Sequence, residues 1–537
     1  MHLKKRLLRI FLALLAAALV VVVAVHFLSK YVESKTRNIL AAIPMNASTI
    51  NASILTRTIE LGSVDWTQPN DSLPQFPHHL FVNKLRLEGI SVYQLLAKDK
   101  MHIHKIVFDV GEFQLNRGLK KPKSEVKELN IDLENVTIDK IVIKDVYTKV
   151  FTDSLAQYEG IVSLNLDNVV IGDLDSIREL TSYEVESFDA LITKMRIKGR
   201  KDMYTSSISK IYANSVEGRI EIDSVILVPK YSRYQFARKL GRQVDRMNLL
   251  IPKISINGLS FAELKDSLFR AATIDIKSAK LYIYKDKRLP FIRDITPLPI
   301  AMIRDLEFGI AIDTLKLIDA KVTYEEFPEE GYHPGYVTFE KLNATLDHLT
   351  NRNHYPDYKQ ATLKASSYVM GKGLLKAEFS LPYGKSQVYN AKGGIDNFSL
   401  YRLNPILENL AFMSVTSGRL NHLAFNFDYT DLKANGTVLV NYENLKINSL
   451  TKEKEPEKNE IKTFVVNTIL KKNKTEKMDK ERRRGTVEFD RDRRRAIFHY
   501  WWRSLLSGIK SSALDSPRKK ENDRENGKKD DKEKKKK

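Results

Sequence analysis

Few groups of residues in this sequence have the types and spacing that catalysis or metal binding requires. His102 and His104 lie two positions apart, so a strand would place both on one face, as a pair of metal ligands requires. No nearby motif completes such a site. Four glutamates lie close together among Pro and Gly residues, which predicts a surface turn rather than a catalytic carboxylate pair. They are Glu325, Glu326, Glu329 and Glu330.

The absence of other reactive groups limits the chemistry further. The 537 residues include no cysteine, which excludes disulfide scaffolds, thiol nucleophiles and Cys-ligated zinc or iron–sulfur sites. The sequence contains no nucleophile elbow, no H-E-x-x-H motif, no phosphate-binding Walker loop and no dinucleotide fingerprint. We therefore predict that the protein is not an enzyme and has no catalytic residue, no metal site and no cofactor.

Composition and charge indicate the kind of partner. Hydrophobic residues make up 42% of the chain and charged residues 29%, as in an ordinary folded protein. The chain has 88 basic and 67 acidic residues, which gives a formal net charge of +21. Such a charge favours an anionic partner, either nucleic acid or membrane headgroups.

An apolar run near the N-terminus favours the membrane. Residues 10–28 contain one polar residue, His26. As a helix of about 29 Å, the run would cross the hydrocarbon core of a bilayer, which is roughly 30 Å thick. Basic residues before it favour a cytoplasmic N-terminus and an exported body. A cleaved signal peptide is the alternative, but its apolar region is usually shorter and the cleavage signal here is poor.

The predicted location follows from this anchor and from the missing cysteines. An exported body without cysteine is typical of a bacterial envelope rather than of a eukaryotic secretory lumen. We therefore predict a single-pass inner-membrane protein with a cytoplasmic N-terminus and its bulk in the periplasm. That location argues against a nucleic-acid partner.

Between about residues 81 and 450 the main signal is a repeated alternation of apolar and polar residues. Two apolar residues alternate, a two-residue break follows, and two more alternate, which predicts strands with one apolar and one water-facing side. The breaks predict tight turns between strands, although single β-bulges would shift the phase in the same way. Twelve apolar residues of this pattern are candidates for the lining of a groove: Leu85, Leu87, Ile90, Val92, Ile141, Ile143, Ile220, Ile222, Ile254, Ile256, Leu315 and Leu317.

A larger internal repeat accompanies the alternation. Residues 84–109 and 253–278 each read as a hairpin, a short helix (93–98 and 262–270) and a returning strand. Repeats that cannot bury their own apolar face imply an extended, stacked architecture. We predict a mainly β fold, in which an N-terminal transmembrane helix precedes an elongated, repetitive antiparallel β-sheet groove with a few short helices.

Two different structures could cover the apolar face. A second sheet would give ordinary closed sandwiches. Alternatively, lipid chains complete the lining of an open groove, since each methylene moved there from water contributes about 0.8 kcal/mol.

Beyond residue 450 the sequence becomes basic, with apolar residues at helical spacing. These residues predict either an interfacial membrane helix or a cap on the end of the sheet; they are Phe498, Trp501, Trp502, Leu505, Leu506 and Ile509. A second basic segment, residues 231–247, predicts a helix that contacts headgroup phosphates or a partner helix, or that simply lies solvated on the sheet. Its candidate contacts are Arg233, Arg238, Lys239 and Arg242.

Four segments resemble the AsmA-like proteins of bacterial envelopes, particularly small members from the Bacteroidetes. They are IELGSVDW (59–66), KLRLEGISVYQLLAKDKMHIHKIVFD (84–109), IDTLKLIDAKVTYEE (312–326) and FHYWWRSLLSGIKSS (498–512). The resemblance runs over most of residues 1–515. This family is related to TamB and YhdP, and the resemblance implies a repeating β-groove and phospholipid movement between the inner and outer membranes.

These observations divide the chain into six predicted segments. They are a cytoplasmic tip and anchor (1–29), a membrane-proximal helix with the segment leading into the sheet (30–80), two groove segments (81–300 and 301–450), a basic aromatic region with an amphipathic helix (451–515) and a disordered Lys-rich tail (516–537). The expected function is phospholipid binding that contributes to lipid transport and outer-membrane biogenesis. The alternative is a non-enzymatic periplasmic scaffold that binds envelope proteins.

Overall fold

The protein divides into two compact units, Met1–Val225 and Ile226–Lys537. The computed structural model describes residues 21–34, 36–37, 45–68, 78–91, 100–117, 135–152, 155–171, 183–199, 202–292, 294–352, 358–383, 387–452, 458–459 and 483–514. The segment boundary that the sequence places at residue 300 lies inside the second unit.

The first unit contains one described helix, α1 (21–34), and a run of long strands. The strands are β1 (Met45–Ser53), β2 (Thr58–Gln68), β3 (His78–Glu88), β4 (Lys100–Arg117), β5 (Asn135–Thr152), β6 (Leu155–Ile171), β7 (Tyr183–Ile197) and β8 (Tyr204–Asn214). Strand β9 (Arg219–Pro229) spans the division between the units.

The second unit contains the remaining strands and five short or medium α-helices in its described residues. Its strands are β10 (Asp245–Asn257), β11 (Leu268–Lys277), β12 (Lys280–Asp286), β13 (Gly309–Phe327), β14 (Gly335–Thr350), β15 (Gln360–Val369), β16 (Gly373–Pro382), β17 (Tyr389–Ser399), β18 (Met413–Tyr429), β19 (Lys433–Leu450), β20 (Lys458–Asn459) and β21 (Arg483–Asp490). Its helices are α2 (Arg233–Leu240), α3 (Phe261–Lys265), α4 (Pro299–Arg304), α5 (Asn404–Leu410) and α6 (Ile497–Leu514), with a 3₁₀ turn at Leu400–Leu403.

The predicted mainly β class with few short helices is confirmed, but the sheet is mixed rather than antiparallel. In the first unit β4 and β5 run parallel with a constant offset of 35 residues, from Lys100 opposite Asn135 to Arg117 opposite Thr152. In the second unit β11 and β12 both run parallel to β13. Parallel neighbours require a long connection that returns the chain to the starting end of the sheet. In the second unit that connection is residues 287–308, called the strap below.

The two-residue breaks inside the long strands are β-bulges, so their interpretation as hairpin turns is wrong. Strand β5 continues through Asp145 and β13 continues through Asp319, and each strand gains one residue on its antiparallel partner at that point. Both aspartates have left-handed backbones, with φ of 49° and 52°. Asp and Asn tolerate this region better than most residues because their short side chains bond locally. The extra residue of the bulge shifts the alternation by one position, so the apolar residues after the break lie on the same face as those before it.

The neighbouring strand bonds the backbone N–H group at both of these bulges. The N–H of Asp145 donates to Ser163 Oγ (3.2 Å), and the N–H of Asp319 donates to Asn343 Oδ1 (3.0 Å). A bulge leaves one residue outside the ladder, and an unpaired amide costs free energy. The polar residues opposite the breaks therefore help to fix the bulges in place.

The internal repeat predicted from the sequence has a structural counterpart. In both copies a strand reaches a glycine with positive φ, Gly89 (70°) and Gly258 (64°), before the chain returns antiparallel. A Cβ on Gly89 would lie 2.5 Å from the Cβ of His104, and one on Gly258 would lie 2.6 Å from that of Ala272. The positive φ and the close approach of the facing residue therefore both require glycine at the same place in each copy.

The helical part of the repeat differs from its prediction. Helix α3 ends at Lys265, five residues before the end of the predicted helix, because Leu268 already pairs with Gly309 in the parallel ladder. The other predicted helix, 93–98, lies outside the described residues.

Helix α1 lies against the first hairpin of the sheet. Ser29 Oγ and Glu33 Oε1 accept bonds from the backbone N–H groups of Ile54 and Ala52, each 3.2 Å long. Val32 packs on the buried cluster of the first unit. Within the part of the chain that the structure describes, no helix combines the length and apolar character needed to span a bilayer. Residues 1–20, which hold much of the predicted anchor, lie outside that part.

The bulge at Asp319 gives a test of the left-handed backbone. We expect Asp319→Val to lower the free energy of unfolding by about 1–2 kcal/mol, because a side chain branched at Cβ clashes in this region. The control is Asp313→Val, an exposed position of the same strand with ordinary backbone, which should change stability by about 0.5 kcal/mol or less. Urea unfolding followed by circular dichroism measures both. Equal effects at the two positions would contradict this account of the bulge.

Candidate functional site

Four lining candidates of the first unit, Leu85, Leu87, Ile141 and Ile143, lie in two rows that cross the strands. Residues directly opposite in neighbouring strands place their side chains on the same face. One row runs Ile50, Leu61, Leu85, Phe108, Ile143, Leu164, Ala190 and Ala213 from β1 to β8. The other runs Ala52, Ile59, Leu87, Ile106, Ile141, Leu166 and Phe188 from β1 to β7.

The second unit has two rows of the same kind. The first runs Ile254, Ile276, Leu317, Ala344, Ala365, Ala377, Gly393, Phe425, Val438 and Gly485. The second runs Ile256, Ile274, Leu315, Leu346, Leu363, Phe379, Ala391, Phe427, Gly436 and Val487. Every member of both rows is alanine, glycine or a larger apolar residue, so the face is continuously apolar across ten strands.

The middle of the first row consists of small residues, from Ala344 on β14 to Gly393 on β17. A concavity of about 780 Å³ adjoins this part of the sheet. Row members line it together with charged neighbours such as Lys364 and Glu378. Because side chains alternate along a strand, those of Lys364 and Glu378 lie on the face opposite Ala365 and Ala377, so the row face itself is apolar there.

Most of the lining candidates are only partly buried. Ile90 and Ile256 are buried, at 4% and 9% exposure. Nine others keep an intermediate exposure: Leu85, Leu87, Ile141, Ile143, Ile220, Ile222, Ile254, Leu315 and Leu317. Val92 lies outside the described residues. Ile220 and Ile222 belong to β9, which spans the division between the units, and we assign them to neither pair of rows.

Helix α6 covers the apolar face at its C-terminal end. Gly508 lies against Val438 and Val487, one from each row, so closely that a Cβ would be 2.5 Å and 2.8 Å from their Cγ2 atoms. Trp501 stacks on Phe379 with ring centroids 4.3 Å apart. Tyr500 and Ser504 are fully buried. The predicted cap on the end of the sheet is therefore present.

The other membrane-interface candidates on α6 differ in how exposed their side chains are. Phe498 is 75% exposed and Trp502 52% exposed, whereas Leu505, Leu506 and Ile509 are half-buried. The helix also bonds the edge of the sheet, because the backbone N–H groups of Thr486 and Glu488 in β21 donate to Ser511 and Ser507.

Arg491 holds the start of α6 to the rest of the second unit. Its side chain is fully buried, forms an ion pair with Asp431 and donates from Nη2 to the carbonyl oxygen of Thr296 (2.6 Å). The backbone of Arg493 accepts from the N–H of Thr296 (2.8 Å). The strap, the β18–β19 turn and the segment before α6 are thus joined through one guanidinium. Sequence analysis missed Arg491 because nothing distinguishes it from the other arginines of this basic region.

Helix α2 is a short helix anchored by Phe236 and Ala237, which are buried. Of its four candidate contacts, Arg233 is already engaged, with Nη1 2.6 Å from Glu325 Oε1. Lys239 lies over the ring of Tyr231 at 4.5 Å. Arg238 and Arg242 are exposed.

Two of the four clustered glutamates lie in strand β13 rather than in a surface turn, so that prediction is wrong for them. Glu325 pairs with Arg233, and Glu326, 6% exposed, pairs with Lys287 (2.6 Å). Strand β13 extends to Phe327 because β12 pairs with it as far as Asp286. Burial, and then the hydrogen bond to Glu325, raise the pKa of Tyr282 to about 12. Glu329 and Glu330 are exposed in the turn, as predicted.

The two histidines that suggested a metal pair bond to neighbouring side chains. His102 Nδ1 lies 3.0 Å from Thr137 Oγ1, and His104 Nδ1 lies 2.9 Å from Asp139 Oδ2. In the described ranges of the chain, no group of three or more His, Asp or Glu residues has the geometry to hold a metal ion.

No model of a known protein family matches the chain, and no curated protein matches it. Function is therefore inferred from the chain's own residues.

The role of Arg491 can be tested by removing its charge. We expect Arg491→Met to lower the free energy of unfolding of the second unit by about 2–3 kcal/mol, because charged hydrogen bonds are lost and Asp431 loses its buried partner. Arg494→Met is the matched control, since Arg494 is 58% exposed in its ion pair with Asp492. Such exposed pairs contribute about 0–1 kcal/mol. Thermal unfolding of both variants should separate them clearly.

A second test uses His499 at the start of α6. Burial, with the charges of Arg495, Arg503 and Lys287 nearby, lowers the pKa of His499 to about 4. The folded protein thus keeps this imidazole neutral where the unfolded chain, with its ordinary value of 6.5, takes up a proton. We expect stability to fall as the pH drops from about 6.5 towards 4, and His499→Gln to remove that part of the fall. Unfolding curves of the two proteins across this range make the comparison, and parallel pH profiles would be the contrary result.

Proposed function

We propose that the protein binds phospholipid or a related envelope lipid along its apolar face and contributes to lipid transport in the bacterial envelope. The observation that carries the proposal is the pair of unbroken apolar rows in each unit, in which seven of the eight predicted lining residues remain partly exposed. In a closed sandwich such residues would be covered by a second sheet. Within each unit the paired strands described above follow one another in a single sheet.

The energetic reason for lipid binding is the cost of leaving these rows in water. Contiguous apolar surface of this extent is uncommon on a soluble protein and marks an interaction site. Acyl chains laid against it would gain about 0.8 kcal/mol for each methylene removed from water. A headgroup can meanwhile stay in solvent.

The location is part of the same proposal. The apolar run at residues 10–28 would anchor the protein in the inner membrane, and the resemblance to AsmA-like proteins supports a periplasmic body that moves lipid towards the outer membrane. Helix α1, continuing from that run, contacts the first hairpin of the sheet and would bring the membrane next to β1.

The alternative function, a scaffold for envelope proteins, would not use the apolar face to bind lipid. A scaffold would bind envelope proteins through strand edges and basic helices and would need no lipid. Arg233 of α2 and the outer backbone of β21 are already engaged within the chain, which leaves fewer groups for such binding. No observation favours an enzyme.

The decisive experiment places a photocrosslinking residue, p-benzoylphenylalanine, at Leu317 of the full chain in cells with labelled phospholipid. Leu317 lies in the first row, and the adjacent Lys316 is exposed on the opposite face of β13, so the same residue at 316 is the matched control. We expect light-dependent lipid adducts at 317 and few or none at 316. Adducts at neither position, with both proteins folded, would refute lipid binding on this face and favour the scaffold.

A charge at the same position distinguishes an open face from a closed core. Leu317→Asp should release the lipid while the circular dichroism of the sheet remains, and Lys316→Asp should leave the lipid content unchanged. If Leu317→Asp prevents folding instead, the residue belongs to a closed core.

A further inference from the structure

The second unit carries a concentrated group of exposed apolar side chains outside the rows. Among the described residues, five lie on or at the end of the strap and three lie on the β18–β19 turn and α6. They are Ile292, Ile295, Met302, Leu306, Phe308, Leu432, Phe498 and Trp502, with exposures from 38% to 75%. We call this set the apolar patch.

Direct contacts hold the segments of the patch together. Thr296, next to Ile295, exchanges hydrogen bonds with Arg491 and Arg493 just before α6. The guanidinium of Arg495 lies 3.9 Å from the ring centroid of Phe291, next to Ile292. The N–H of Arg491 donates to the carbonyl oxygen of Leu432 (2.7 Å). Because Arg491 fixes all three segments, the patch is a built surface rather than a set of independent loop tips.

The charges around the patch favour an anionic partner. Three acidic residues beside it face arginines: Asp431 pairs with Arg493 (2.7 Å), Asp492 with Arg494 (3.2 Å) and Asp305 with Arg304 (3.1 Å). Two further acidic residues, Asp294 and Glu307, are exposed on the strap, so the basic excess lies on α6 and in the sequence after it. On α6 itself the charged residues are basic and exposed, Arg503 and Lys510. The sequence that follows, residues 516–537, has 11 basic and 6 acidic residues. The helix with the exposed aromatic rings thus leads directly into a cationic segment.

We propose that the apolar patch docks the protein on the surface of an anionic phospholipid bilayer. Exposed Trp and Phe beside basic side chains are the composition of a surface that lies in the headgroup region, with its apolar side chains at the acyl boundary. Lys and Arg near an anionic surface each contribute about 1 kcal/mol. The docking proposal depends on the proposed function only for its biological purpose. That purpose is to bring the end of the apolar face that α6 covers to a membrane.

Patch and rows are different surfaces that adjoin at α6, where the ring centroid of Phe498 lies 5.5 Å from that of Trp501. The rows face the sheet-bound side of α6, through Gly508 and Trp501, whereas Phe498 and Trp502 are exposed. A bilayer bound at the patch would therefore not need an empty groove, and loss of one activity need not remove the other.

The absence of native cysteine permits a test with single labels. Cysteine is introduced at Phe498 or Ile295 in the full chain, coupled to the environment-sensitive dye NBD, and the protein is reconstituted in nanodiscs of phosphatidylcholine. The matched control is Leu55→Cys, because Leu55 is 76% exposed in the first hairpin and lies outside the patch. Vesicles containing phosphatidylglycerol, or phosphatidylcholine alone, are then added.

We expect a several-fold rise and a blue shift of the NBD signal at 295 and 498 with anionic vesicles, and little change at 55 or with neutral vesicles. Added salt should weaken the response, because surface charges are screened within about 10 Å at 0.1 M. An equal response to neutral vesicles, or an equal response at 55, would overturn the proposal. No response at 295 and 498 would also overturn it and leave a protein as the occupant of the patch. Crosslinking at Leu317 reports on the groove separately, so the two failures are distinguishable.

Discussion

The left-handed residues inside the long strands are the constraint on which the rest of the structure depends. A strand alternates its side chains strictly, so one unmatched residue would turn the following apolar residues towards water. Asp145 and Asp319 adopt left-handed φ values that are unfavourable for most residues. The alternation then resumes after the bulge with the apolar residues on the original face. Without these bulges Val146 and Ala320, the next paired residues of the two strands, would turn away from the face that carries Ile143 and Leu317. The partly exposed apolar face is a product of local backbone geometry.

The sequence was informative where the physics is local. Alternation identified the strand faces, and Asp, Asn and Ser marked the points of phase change, but a turn and a bulge use the same residues. The difference lies in the partner strand: Asn343 bonds the N–H of Asp319, and Asn343 is distant in sequence. For the same reason the parallel pairs were missed, since pairing of β11 and β12 with β13 is decided by the strap and its packing rather than by either strand. The same pairing buries Glu326. The Pro and Gly residues around it suggested a turn, because local composition carries no information about a strand that pairs from elsewhere in the chain.

Helix α6 shows how one amphipathic sequence can have both a packed side and an exposed side. Trp501 and Gly508 lie towards the apolar rows, whereas Phe498 and Trp502 remain outside. Trp501 and Gly508, two helical turns apart, share one side of the helix, and Phe498 and Trp502 lie on the adjoining side, where the ring of Phe498 meets that of Trp501 with centroids 5.5 Å apart. Its apolar content was visible in the sequence, but the division between the two sides required the positions of Phe379 and Val438. The helix therefore reduces the exposed length of the rows without covering all of them.

The serine hydroxyls of α6 have a consequence for self-association. A terminal strand with unsatisfied N–H groups is a template on which another chain can add a strand, and long sheets are prone to fibre growth by this route. In β21 the N–H groups of Thr486 and Glu488 are bonded to Ser511 and Ser507 of the same chain. The edge is thereby terminated, and growth of the sheet at β21 would first require the helix to detach. A protein with so many long strands and so much exposed apolar surface is in this way protected against polymerisation at one of its most vulnerable positions.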